Sequence, residues 1–186
     1  IAATLPLQGG QPMSDAQLIV LLQNTLIPGA IAAGDASTAL VDSAYLSQLL
    51  AANPSAVDSD PSIVSSVVGT IATVAASNSD ELSSPDADQI ASTIADLSST
   101  VAGTGGTGTA SSTVSTIVNL VSLLLNGTAK SGNAVTLSST ALNNVAQTLS
   151  NVIAVANATG CSVLHTSAFV ASQQQRVNAA LAGSLP

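Results

Sequence analysis

The chain has 186 residues, and only 6% are charged: ten acids and two bases, for a net charge of −8. Soluble domains average about 25% charged residues, so the polar surface here must be built from Ser, Thr, Asn and Gln, and such a surface is weakly solvated unless sugar or neighbouring chains cover it. Lys130 and Arg176 are the only cations, which excludes a phosphate-neutralising footprint for nucleic acid and a basic helix lying on a membrane.

Residues 1–13 hold Pro6, Gly9, Gly10 and Pro12 and read as an extended leading segment. Ser14 to Gln17 then forms a capping-box pattern, followed by Leu18, Leu21, Leu22 and Leu26 at helical spacing. Pro28-Gly29 is expected to stop that helix. Asp35 or Ser37 can cap the next, whose apolar face is Leu40, Ala44, Leu46, Leu49 and Leu50, and Asn53-Pro54 ends it.

Asp60-Pro61 is a start signal, an acidic cap with proline at the first helical position. Ile63, Val64, Val67, Val68, Ile71 and Val74 follow at threes and fours. Their β-branching favours strand, but strict alternation is absent and the run is too long for a typical strand. Ser84-Pro85-Asp86 repeats the start grammar, with Asp86 and Asp88 expected in the first turn, where the helix dipole favours negative charge. Ile90, Ile94, Leu97 and Val101 form the stripe of this helix, and Gly103 closes it.

Residues 103–110 are a Gly/Thr linker between a first helical half, 14–102, and a second, 111–186. A phosphate-binding loop would need a Gly-Lys-Ser/Thr ending after a strand, and this stretch has neither. Ser111 or Ser112 starts a helix through Val114, Ile117, Val118, Val121, Leu124 and Leu125, ended by Asn126-Gly127. After a polar loop to about Thr136, Ser138 opens a helix with Leu142, Val145, Leu149, Val152 and Ile153. A last helical segment is expected from Ser167 through Phe169, Val170, Val177 and Leu181.

The chain repeats itself. Leu82-Ser83-Ser84 falls on Leu137-Ser138-Ser139 at an offset of about 55 residues, bringing Ile90 onto Val145, Ile94 onto Leu149 and Leu97 onto Val152. At an offset of about 50, Val64, Val67, Val68, Ile71 and Val74 fall on Val114, Ile117, Val118, Val121 and Leu124. The unit is a helical hairpin, and the expected fold is all-α: a bundle or short solenoid of six to seven amphipathic helices built from repeated hairpins. Trp is absent, and Met13, Tyr45 and Phe169 are each alone of their kind. The core must therefore be made of many small aliphatic contacts, without aromatic anchors that each bury about 150–250 Å². The same scarcity makes a hot spot for a flat protein partner a poor expectation, since such spots favour Trp, Tyr and Arg.

Chemical function finds little support. His165 is the only histidine, no acid lies beyond Asp96 to orient it, and nothing marks one serine as a strained nucleophile. The acids Asp58, Asp60, Asp80, Glu81, Asp86 and Asp88 are spaced for helix starts, without the alternation and closing Glu of a calcium loop or the cysteine and histidine clusters of a zinc site. No catalytic residue, metal ligand or cofactor is expected, and the chain reads as a non-enzyme. No apolar run reaches the roughly 18 residues needed to span a bilayer. Ile1-Ala2-Ala3-Thr4 has no signal-peptide pattern, so the chain reads as a mature protein or an excised piece of a longer one.

Asn126-Gly127-Thr128 and Asn157-Ala158-Thr159 are acceptor patterns for N-glycosylation at Asn126 and Asn157, both placed at expected helix ends. The threonines of 104–109 suit O-linked sugar. Cys161, the only cysteine, either is a buried small hydrophobe or forms an intermolecular disulfide with a partner or an unseen part of the polypeptide.

Leu137-Ser138-Ser139-Thr140-Ala141-Leu142-Asn143-Asn144-Val145-Ala146-Gln147-Thr148-Leu149 and the repeated hairpins, over residues 14–157, resemble the helical region of polycystin-1-like and adhesion-receptor ectodomains, the GAIN architecture. The tail from Cys161 to Phe169 resembles that family's cleavage motif but carries Thr166 at the Leu position and lacks the partner cysteines and tryptophans, so self-cleavage is not carried over. The resemblance implies an extracellular spacer in a longer glycoprotein. The expected function is a non-catalytic structural or spacer module of a secreted or cell-surface glycoprotein, with other chains or further domains of the same polypeptide as partners. One alternative is a segment of an extracellular filament, such as a flagellar hair or cell-wall fibre, buried against a sheath protein. A second is a helical carrier of a small apolar ligand.

Overall fold

The structure is a computed structural model and describes residues 7–8, 11–77, 83–104, 111–125, 137–159, 171–172, 175 and 177–178. A two-residue antiparallel ladder comes first, β1 (Leu7–Gln8) against β2 (Gln11–Pro12), so the leading segment doubles back instead of running on. The connection holds Gly9 and Gly10, the composition a two-residue hairpin loop favours. The rest of the described chain is helical apart from short connections and caps.

The first helix runs without a break through α1 (Asp15–Leu21), a π-helical turn (Leu22–Leu26) and α2 (Ile27–Ala32). Ser14 and Gln17 cap each other reciprocally at its start, as expected. Pro28-Gly29 does not stop it. The Ile27 N–H donates to the Leu22 carbonyl, five residues back, and this widened turn makes room for the Pro28 ring, which would clash in a regular α-helix. The helix ends one turn later at Gly34, whose φ of +72° requires the residue without a Cβ. There Gly34 N donates to Ile31 O and Asp35 N to Ala30 O, the paired bonds of a Schellman motif.

Asp35 at once caps α3 (Ala36–Ala52), accepting from Thr38 N at 3.0 Å and Thr38 Oγ1 at 2.7 Å. Proline 54 ends α3 and then opens a short helix absent from the sequence expectation, α4 (Pro54–Ser59). Its fixed φ suits a first helical position as well as it forbids an interior one. The Asn53 amide between them donates to Leu49 O and Asp15 Oδ2, both at 3.0 Å, tying the end of α3 to the start of α1. Asp60 accepts from Ser62 N at 3.1 Å and opens α5 (Ser62–Ser77). The cap of α6 (Ser84–Gly103) is Ser83, one residue before the expected Ser84, in a reciprocal box with Asp86. Helices α7 (Ser111–Leu125) and α8 (Ser139–Thr159) begin where expected, Ser138 accepting from Ala141 N at 3.1 Å. The expected last helix falls largely outside the described residues, although residues 171–172, 175 and 177–178 are helical and Val177 is buried.

With 15–32 counted as one, the described residues form seven helices, an all-α bundle. Helix α6 lies between α3 and α8, and α5 lies against α7, so each helix of one hairpin packs on its own equivalent in the next. Burial follows the repeat. Ile63, Val64, Val67, Val68, Ile71 and Val74 are buried, and so are the residues fifty positions on: Thr113, Val114, Ile117, Val118, Val121 and Leu124. Ile90, Thr93, Ile94, Leu97 and Val101 are buried together with Val145, Thr148, Leu149, Val152 and Ala156. The caps Ser83 and Ser138 correspond as well. Three polar links join the copies: Ser65 Oγ to Thr113 Oγ1 at 2.6 Å, Ser138 N donating to Asp88 Oδ1 at 3.0 Å, and Asn151 Nδ2 donating to Ser98 Oγ at 3.1 Å. One hydrophobic cluster runs from Leu18 to Val177.

Most of the buried hydroxyls are satisfied within their own helices. Thr93 donates to Gln89 O, Thr148 to Asn144 O, Ser47 to Ala44 O and Ser98 to Ala95 O. Ser43 Oγ on α3 is buried without a partner. An unpaired buried hydroxyl costs about 1–3 kcal/mol, so Ser43→Ala should raise stability by about 1 kcal/mol, read as a higher urea midpoint with unchanged slope. By contrast Leu97→Ala, fully buried on α6, should lose about 2–5 kcal/mol in the same titration.

Candidate functional site

The acids act mainly at helix ends. Asp35 and Asp60 cap α3 and α5, and Asp86 accepts from Ser83 N in the capping box of α6. Asp88 lies beyond the first turn and bridges instead to the Ser138 backbone of α8, a role that no local spacing could announce because its partner is 50 residues away. Among the described residues no three His, Cys, Asp or Glu side chains converge to hold a metal ion. His165, Cys161, Asn126, Asp80, Glu81, Lys130 and Arg176 lie outside the residues whose side chains are described, as does most of the Gly/Thr linker.

Asn157 is exposed in the last turn of α8. The Thr159 hydroxyl of the same acceptor triplet donates to Val155 O at 2.9 Å. The triplet is therefore helical, at the end of an element as expected. Helices α7 and α8 are themselves uncharged: their exposed residues include Ser115, Asn119, Asn143, Gln147 and Ser150. All eight acids on described helices and their caps precede α7.

A void between α6, α7 and α8, lined by Ser98, Val101, Val114, Ile117, Val152 and Val155, holds about 10 Å³, room for about one water against the 300–1,000 Å³ of typical ligand pockets. A larger hollow of about 500 Å³ lies open along the outer side of α1, between Met13, Val20, Leu21 and Asn24. The 18 residues of 15–32 have a mean hydropathy of 1.2, long and apolar enough to cross a membrane by length and composition. No such length was expected from a sequence with Pro28-Gly29 inside it. In the fold Leu18, Ile19, Leu22, Ile27 and Ala30 of this helix are buried, while Val20, Leu26 and Ile31 are exposed.

The carboxyl groups differ in their titration. Hydrogen bonds from the Thr38 backbone and then its hydroxyl hold Asp35 below the ordinary aspartate value. Partial burial raises Asp96, and partial burial followed by repulsion from Asp35 raises Asp42. A raised acid binds its proton more tightly when folded than when unfolded, so its contribution increases as pH falls from its folded value towards about 4. Asp35 runs the other way, contributing above about 4 and losing that contribution on further acidification. The melting temperature should therefore rise from pH 7 to about pH 4.5 and rise with added salt at pH 7 as repulsion among the acids is screened. Asp96→Asn should raise it at pH 7 and flatten the acid-side slope; thermal melts across the range check both.

No protein-family model, curated protein or solved structure matches this chain.

Proposed function

We propose that the chain is a non-catalytic structural module of a secreted or cell-surface glycoprotein, one that spaces or supports other chains or further domains of its own polypeptide. The observation that carries this reading is the uncharged outer surface of α7 and α8 with Asn157 exposed upon it. A hydroxyl and carboxamide surface needs additional solvation, and a glycan at Asn157 supplies it where no charged side chain does. Asn126 in the second half and the threonines of the linker before it offer further attachment points. The resemblance to polycystin-1-like and adhesion-receptor ectodomains points to the same extracellular setting. The ligand-carrier reading has a weaker footing: the void among α6, α7 and α8 takes a water-sized occupant, and the hollow of about 500 Å³ beside α1 lies open to solvent.

Intact mass of the protein secreted from a eukaryotic host, before and after enzymatic removal of N-glycans, tests the reading. The expected result is a mass above that of the bare polypeptide, reduced by Asn157→Gln, and a lower solubility limit after deglycosylation. A secreted product at the bare polypeptide mass, equally soluble with or without enzyme treatment, would overturn it.

A further inference from the structure

Asn157 and Thr159 belong to one acceptor triplet, but α8 holds them on different sides. Positions two apart in a helix stand about 200° apart around its axis and do not face each other. Asn157 continues the outer row of Ser150 and Ile153, and all three are exposed. Thr159 continues the inner row of Val152 and Val155, which are buried in the core. Its hydroxyl turns back into the helix, donating to Val155 O at 2.9 Å and lying 3.5 Å from Ala156 O.

Transfer of sugar to an asparagine needs both groups at once. The carboxamide is the nucleophile, and the hydroxyl two residues on is the mark by which the triplet is read. One active site reaches both when the chain is extended, because residues i and i+2 then line one face about 7 Å apart. In the helix no single surface meets both.

Extending the triplet unwinds the last turn of α8, and the two residues before it are core residues. Val155 and Ala156 are both buried, and Val155 lines the same small void as Val101 of α6 and Val114 and Ile117 of α7. A chain drawn out through a transferase groove pulls these two from their places. The folded triplet is therefore exposed and yet unreadable.

We propose that Asn157 takes its glycan only while the end of α8 is open, before that helix closes on α6 and α7, and that the folded chain is no longer an acceptor. This rests on the glycoprotein reading and supplies the order of events at the same site. In the transfer, the Asn157 carboxamide nitrogen attacks the anomeric carbon of a lipid-pyrophosphate-linked oligosaccharide. The carbon–nitrogen bond forms, the bond from that carbon to the pyrophosphate oxygen breaks, the amide proton passes to a base of the transferase, and the lipid pyrophosphate leaves. Closure of α8 then carries the sugar outward, because Asn157 stands on the exposed row, and restores the bond from Thr159 to Val155 O. Occupancy of Asn157 is set by a race between folding and transfer.

The test uses the full chain with Asn126→Gln, which leaves Asn157-Ala158-Thr159 as the one acceptor triplet in the sequence. It is made without sugar and incubated with a purified oligosaccharyltransferase and a lipid-pyrophosphate-linked oligosaccharide. The comparison chain adds Val155→Gly and Ala156→Gly, which release the end of α8 and keep the triplet intact. It serves whether it opens locally or unfolds throughout, since either state presents an extended acceptor. Intact mass followed over time gives the rate of transfer. The folded chain is expected to gain sugar at least about tenfold more slowly than the opened one, because only its small open fraction reacts. Asn157→Gln in the opened chain is expected to abolish the gain. Equal rates for the folded and opened chains overturn the proposal, and so does an opened chain that gains no sugar. Neither result decides the glycoprotein reading, which stands or falls separately on the mass of the secreted protein: sugar at Asn157 there keeps it, although the order of events proposed here has failed.

Discussion

The contact on which the rest of the molecule depends is that of α6 with α8. Both helices present Ile, Leu, Val, Ala and Thr at matching positions, with Ile90, Ile94 and Leu97 on one and Val145, Leu149 and Val152 on the other. No bulky anchor holds them, so stability comes from short aliphatic side chains in many close contacts, each worth only a fraction of a kcal/mol. Once α6 and α8 lie side by side, α5 and α7 follow, because each is the first helix of the same hairpin. The cross-links Ser65–Thr113, Ser138–Asp88 and Asn151–Ser98 then fix the register. The other side of α6 receives α3 and, through it, the whole 15–32 helix.

A chain so rich in Ser and Thr faces a difficulty that its helices resolve locally. A hydroxyl buried in a helix interior must find an acceptor, and the nearest is the carbonyl three or four residues back. Thr93, Thr100, Thr148, Ser47 and Ser98 all use it. Each then behaves toward its neighbours as a small, nearly apolar group, which explains how positions that read as polar in sequence come to be buried. The same economy leaves the outside without strong polar groups. Nothing on α7 or α8 carries charge, and the surface there relies on amides and hydroxyls alone.

Much of the fold was legible because capping is a local code. Ser14, Asp35, Asp60 and Ser138 each begin a helix through a bond to a backbone N–H two or three residues ahead, and that spacing is written in the sequence. The apolar stripes of α5 to α8 were equally plain, since their period matches that of the helix and their repetition brings like onto like. What stayed hidden depended on geometry that no window contains. Pro28 reads as a stop, but a π-turn absorbs it, and the real stop is Gly34. Pro54 reads as an end alone, although it also begins α4. Asn53 and Asp88 look like ordinary helix-boundary residues, and only the fold brings them to Asp15 and Ser138. For the candidate site, the sequence located the Asn157 triplet at a helix end, but its helical backbone and the open face beside it belong to the tertiary structure.

The repeat also explains why the surface is unequal from end to end. An internal helix such as α6 can spend its whole circumference on protein contacts, and only Pro85, Ser99 and Gly103 of its length remain exposed. Helix α8, built from the same pattern, leaves more of its length exposed, from Ser139 through Asn143, Gln147, Ser150 and Ile153 to Asn157. On α8 the difference is made up partly by exchange, Ser150 standing where α6 has Ala95, and partly not at all, Ile153 standing where α6 has Ser98. The acids, which could have made that end soluble, are all placed in the first half, where they cap and link helices. With every described acid in the first half, the exposed surface of α7 and α8 is left to hydroxyls, carboxamides and Ile153.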